Sequence, residues 1–169
     1  MNKIVSILCL FTLSVMAQEN KKNDSEQIII ISEFIVKDLR INDVDYSKEA
    51  ITDGNKLYFY KVKDSDEVLF SNYWEKDDSQ SFGPIHSLTL KHYDETDEFF
   101  EIDEYKFIWS YKNTYEDKVG TCEMILKLEY KPKGIFFDLK IHPENLEELH
   151  CRGEFKGTMD FVKYLVDKH

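Results

Sequence analysis

Histidines, cysteines and a large excess of carboxylates are the groups with which this chain could do metal or acid–base chemistry. His142 and His150 bracket Pro143–Leu149. If the chain reverses there, they face each other on the outer surface with Glu144 or Glu148 beside them. Two imidazoles and a carboxylate form a donor set for Zn2+ or Cu2+. Surface histidines are common, and the plainer expectation is a pair of solvated side chains, so no metal site is favoured. His86 and His92 fall on one strand, separated by about 20 Å of strand rise, too far to share an ion. The stretches DVDYS and DSDE carry alternate carboxylates, loosely like a calcium loop. They lack its glycine and its distal bidentate glutamate. No nucleophile elbow, P-loop, HExxH or CxxC pattern is present, and no carboxylate pair is marked as an acid–base couple. The residues therefore predict no catalytic set and no cofactor.

Aromatic side chains offer binding chemistry instead. Tyr105, Phe107, Trp109 and Tyr111 recur at alternate positions, with Met124, Leu126 and Phe137 at matching positions in the next two segments. Such a row either lines an apolar ligand cavity with a few orienting hydroxyls or fills a core. The choice depends on the elements that carry it.

Those elements are three strands. Tyr105–Tyr115, Gly120–Tyr130 and Ile135–Ile141 each alternate apolar with polar residues, as a half-buried strand does when successive side chains point to opposite faces. A turn at Glu116–Val119 would set Trp109 opposite Leu126 and Phe107 opposite Leu128. A turn at Lys131–Gly134 would set Tyr130 opposite Ile135 and Leu126 opposite Leu139. Both registers place every apolar row on one face, and a one-residue slip would expose a whole row. The same counting sets Cys151 about level with Ile141, two strands from Cys122. That separation is about 9.5 Å, beyond disulfide reach, so two buried free thiols are expected.

Upstream, Ile28–Leu39, Lys56–Val62, Val68–Trp74, Ser81–Tyr93 and Phe99–Tyr115 read as strands, with a helical turn within Asp43–Asn55. Gly83-Pro84 marks a bulge or an edge. Leu149–Gly157 is the last strand, and the tail from Asp160 fits either a short C-terminal helix or a strand. Eight strands joined by short turns predict an all-β fold: an antiparallel up-and-down meander closing into a barrel, with a two-sheet β-sandwich as the competitor.

The first 17 residues carry Lys3, the apolar run Ile4–Val15 and the small-residue signal Val15-Met16-Ala17, the pattern of a cleaved secretory signal peptide. Residues 18–27 are polar and predict a disordered lead-in, which leaves residues 28–169 as one β domain. Export to the periplasm or outside the cell follows, with no later run long enough to span a bilayer as a helix. A net charge of −11 disfavours nucleic acid and anionic membranes.

A leader ending in Ala-Gln, followed by FIVKDLRIND, YKFIWSYKNTYEDKVGT and YKPKGIFFDL, resembles uncharacterised small exported proteins of Bacteroidetes bacteria, of flavobacterial type. The resemblance covers most of the chain after the leader and implies no activity and no catalytic residues. The strand count is similar to lipocalin-type barrels in architecture only, since no Gly-x-Trp motif opens the first strand. Two expectations result. One is a barrel that binds a small apolar or amphipathic ligand. The other is an envelope-associated domain with a filled core that binds a protein partner.

Overall fold

Alternating apolar residues build a single closed barrel. The computed structural model describes residues 27–95, 100–143 and 147–166. The expected signal peptide and almost all of the polar lead-in, on which the expectation of export rests, lie outside the described residues, as does Glu144. The elements are β1 (Ile28–Ile41), β2 (Val44–Asp45), α1 (Ser47–Thr52), β3 (Asn55–Val62), β4 (Leu69–Trp74), β5 (Ser79–Glu95), β6 (Phe100–Asn113), β7 (Val119–Lys131), β8 (Gly134–Pro143), β9 (Leu149–Gly157) and α2 (Val162–Val166).

Consecutive strands from β3 to β9 pair antiparallel, and β1 joins the ends, pairing β3 through Ile28–Phe34 and β9 through Ser32–Ile41. The barrel of eight long strands is thus closed, and the two-residue β2 is an addition to the end of β1. One strand serves both seams because it is long and bulged, slipping register at Ile31 against β3 and at Lys37 against β9. Beyond Ser32 its partner β9 has ended, so Ile28, Ile29 and Ile30 are 36%, 48% and 52% exposed. This accounts for an apolar run without alternation.

The first hairpin departs from the expected register. Trp109 faces Cys122 and Phe107 faces Met124, rather than Leu126 and Leu128. Asn113 is the cause. Its Oδ1 accepts the backbone N–H of Tyr115 and of Glu116, both at 2.9 Å, and its own N–H donates to the Lys118 carbonyl. The turn therefore begins at Asn113, and Tyr115 lies on it, 77% exposed, instead of in the strand. The slip is an even number of residues, so each side chain keeps its face. The β7–β8 register is as expected, with Tyr130 opposite Ile135 and Leu126 opposite Leu139. Across β8–β9, Cys151 pairs with Leu139 rather than Ile141, and His150 pairs with Lys140.

Inside, Phe34 sits among Phe59, Phe137 and Phe155 at ring-centroid distances of 5.4, 5.0 and 5.3 Å. Each mouth carries a short helix. At the first mouth, where β3, β5, β7 and β9 begin, α1 packs on β1 and β3 and buries Ala50. At the opposite mouth the chain turns inward after β9. Phe161 meets Phe59 at 5.1 Å, and α2 packs on β5. Among the described residues no helix is long and apolar enough to cross a membrane.

Candidate functional site

Tyr105, Phe107 and Trp109 of β6, Met124 and Leu126 of β7, and Phe137 of β8 are all buried on the inner wall, with Tyr111 half-buried toward the first mouth. The structure brings this row together: Tyr105 stacks on Phe107 at 6.1 Å, and Trp109 meets Phe70 edge-on at 5.0 Å and Tyr111 at 5.1 Å. The rings pack on one another and on neighbouring core side chains.

The histidines are kept apart. His142 Nδ1 lies 3.3 Å from Glu148 Oε2, while His150 Nε2 lies 2.8 Å from Asp138 Oδ1, whose Oδ2 accepts from Arg152 Nε at 2.8 Å. Because His150 faces Lys140, the two imidazoles do not oppose each other. No group of three His, Cys, Asp or Glu suited to a metal occurs among the described residues. Cys122 and Cys151 are both free and buried. The Cys122 thiol donates to the Trp109 carbonyl at 3.9 Å, and burial pushes its pKa up to about 12.

A second set of residues converges where no sequence motif announced it. Leu57, Asn72, Ser81 and Asn113 stand directly opposite one another across β3, β4, β5 and β6. Leu57 is fully buried in the core, so the row faces inward. One step nearer the first mouth, Asn55, Trp74 and Ser79 form a second row across β3, β4 and β5. Apolar alternation therefore gives way to amides and hydroxyls in the last two layers at the first mouth. A depression of about 230 Å3 opens there, lined among others by Asn72, Trp74, Gln80, Ser81, Asn113 and Tyr115. A broader and shallower depression beside Gly83 and Pro84 spreads over β5–β7 without converging polar groups.

Hydrogen bonds order the polar layers but do not exhaust them. Asn55 Nδ2 donates to Asn72 Oδ1 and Asn113 Nδ2 donates to Ser81 Oγ, each at 2.8 Å. Asn55 Oδ1 is buried and has no partner, and neither has the indole N–H of Trp109, which is 4% exposed and lies two layers further in than Asn113, beyond Tyr111. Buried polar atoms are rarely left unpaired, and an unpaired one costs about 1–3 kcal/mol. These inner groups are amides, hydroxyls and indoles, which orient a ligand and exchange no proton with it near neutral pH.

Toward the opposite mouth a titratable cluster sits on the same inner face. Asp103 Oδ2 accepts from Tyr105 Oη at 3.1 Å and from Tyr130 Oη at 3.0 Å, and its Oδ1 lies 2.7 Å from His92 Nδ1. Burial, reinforced by Asp103, pushes Tyr130 up to about 12 and raises Tyr105 further. With both carboxylate oxygens engaged, the cluster ties β5, β6 and β7 together where they run past their neighbours.

Sequence reasoning missed both groups. The four mouth residues are scattered from Asn55 to Asn113 and lie near turns, where polar residues are ordinary. Asp103 was detectable, since it occupies the odd-numbered apolar row of β6. No protein-family model, curated protein or solved structure matches this chain.

Proposed function

We propose that this chain is an exported binding module that takes a small ligand at the first mouth of its barrel, over the Asn55–Asn72–Ser81–Asn113 layers. The observation that carries this reading is the convergence of Asn72, Ser79, Gln80, Ser81 and Asn113 with Trp74 and Tyr115 around the 230 Å3 depression. Polar side chains that converge beside aromatic faces give a small molecule both orienting hydrogen bonds and contact area. Native mass spectrometry on protein purified from an exporting host tests it. A co-purifying mass retained by the wild type and lost from Asn72→Ala supports the mouth; a mass retained by both places the ligand elsewhere.

A protein-interaction role is favoured by a different observation, the exposed Ile28–Ile30 stretch where β1 outruns β9. An apolar strand edge of this kind is a template for strand addition. Ile29→Lys would abolish capture of a strand-adding partner and leave ligand binding at the mouth intact.

A further inference from the structure

We infer that the ligand is a neutral saccharide unit held with a ring face against Trp74 and Tyr115, an inference that rests on the mouth being the binding site.

Charge narrows the class first. Among the residues lining the depression only Asp77 and Glu116 are charged, and Glu116 is paired with Lys118 at 2.7 Å. No cation lines it, and the whole chain carries −11, so phosphate, sulfate and carboxylate ligands meet repulsion and no charge-assisted donor. Asp77 and Glu116 stand on the turns after β4 and β6, so a cation would be held at the rim, whereas the inner wall offers amides and hydroxyls.

The polar groups that remain are mixed in kind and close together. Among the lining groups Asn72, whose Oδ1 accepts from Asn55, has Nδ2 to donate, and Ser81 Oγ, which accepts from Asn113, has a proton to donate and a second lone pair to accept. Hydroxyl groups on adjacent carbons are each donor and acceptor, and such a pair matches an acceptor and a donor set side by side.

Apolar flat surface completes the match. Trp74 stands in the outer inward-facing row, between Asn55 and Ser79, and Tyr115 lies on the turn beyond Asn113. An aromatic face packs against the C–H face of a sugar ring, so one ligand uses both wall types. At about 230 Å3 the depression is below the roughly 300–1,000 Å3 of sites for drug-sized ligands, which suits one ring of a longer glycan.

The test uses protein from the full chain expressed in an exporting host, titrated with methyl glycosides of neutral hexoses and N-acetylhexosamines and with their disaccharides. Tryptophan fluorescence and saturation-transfer NMR are the readouts. The expected result is saturable, millimolar-range binding of at least one glycoside, with transfer strongest to the C–H protons of one ring face. Asn72→Ala and the rim variant Tyr115→Ala should each weaken it about fivefold. Tyr115 is 77% exposed, so its variant tests recognition without disturbing the fold. Failure of the whole panel on folded protein overturns the saccharide assignment. If a different co-purifying molecule is then lost from Asn72→Ala, the mouth stands and the class falls; if nothing binds there, both fall.

Discussion

Asn55 donates from Nδ2 to Asn72 Oδ1 at 2.8 Å across the β3–β4 pair, and its own Oδ1 is left buried and unpartnered. The arrangement sets one favourable hydrogen bond against one unfavourable burial at a single side chain. Asn55→Ala removes one hydrogen bond, about 1 kcal/mol, and also an unpaired acceptor whose burial costs about 1–3 kcal/mol. The expected urea-unfolding result is a stability within about 1 kcal/mol of wild type, because the two effects oppose each other. A loss near 3 kcal/mol would show that the hydrogen bond to Asn72 outweighs the unpaired acceptor.

Asp103 should behave in the opposite way. Three groups converge on its carboxylate, and Tyr105 is buried. Asp103→Leu leaves two phenols and an imidazole without their acceptor and should cost about 3 kcal/mol or more, since bonds to a charged group are worth about 1.5–3 kcal/mol. Asp103→Asn keeps an oxygen for the phenols, and its melting temperature should fall less than that of Asp103→Leu. Equal losses would show that charge, rather than acceptor geometry, holds the cluster.

These two sites differ in how far they could be read from residues alone. The barrel followed from alternation, because an even slip at Asn113 changes partners but not faces. A side-chain cap that starts a turn early cannot be seen in a hydrophobic pattern. Asp103 was visible as a carboxylate in an apolar row, but its ligands come from three strands. The mouth was the least legible. Asn55, Asn72, Ser81 and Asn113 become neighbours only once the registers of β3 to β6 are known to the residue. Placing Cys151 against Leu139 needed the same knowledge.

Phe161 tests the closure of the opposite mouth. It is 5% exposed and packs on the fully buried Phe59. Phe161→Ala should cost about 3–5 kcal/mol, the usual range for a buried phenylalanine. Ligand affinity at the first mouth should be unchanged in the folded fraction, because Phe161 is separated from the mouth by the buried rings of Phe59, Phe70 and Trp109. Thermal unfolding with and without ligand separates the two effects.

Gly153 sits where β9 passes the β1 bulge. A Cβ built there would collide with the Ile35 carbonyl and crowd the Lys37 N–H, both backbone groups that cannot rotate away. Gly153→Ala should therefore destabilise by about 1–3 kcal/mol despite adding one methyl. Because the bulge lets β1 serve two seams, hydrogen exchange should speed most in β1 and β9. Uniform protection would mean that the seam absorbs the methyl.

Alkaline pH should unfold the barrel through groups held neutral inside it. Burial pushes Cys122 from 9.0, and Tyr60 and Tyr130 from 10.0, up to about 12. Cys151 and Tyr105 are raised for the same leading reason. For each group the folded pKa lies above the unfolded one, so the folded state holds its proton longer. The stabilisation is complete below about pH 9, where both states are protonated, and is lost as pH climbs toward about 12. Stability measured by urea should be flat in this respect up to pH 9 and fall steeply above it. In the same experiment iodoacetamide should label neither thiol at pH 8 without urea and both once the protein unfolds, since the reactive thiolate is suppressed and covered. Labelling of Cys122 at pH 8 in folded protein would show that the wall beside Trp109 opens.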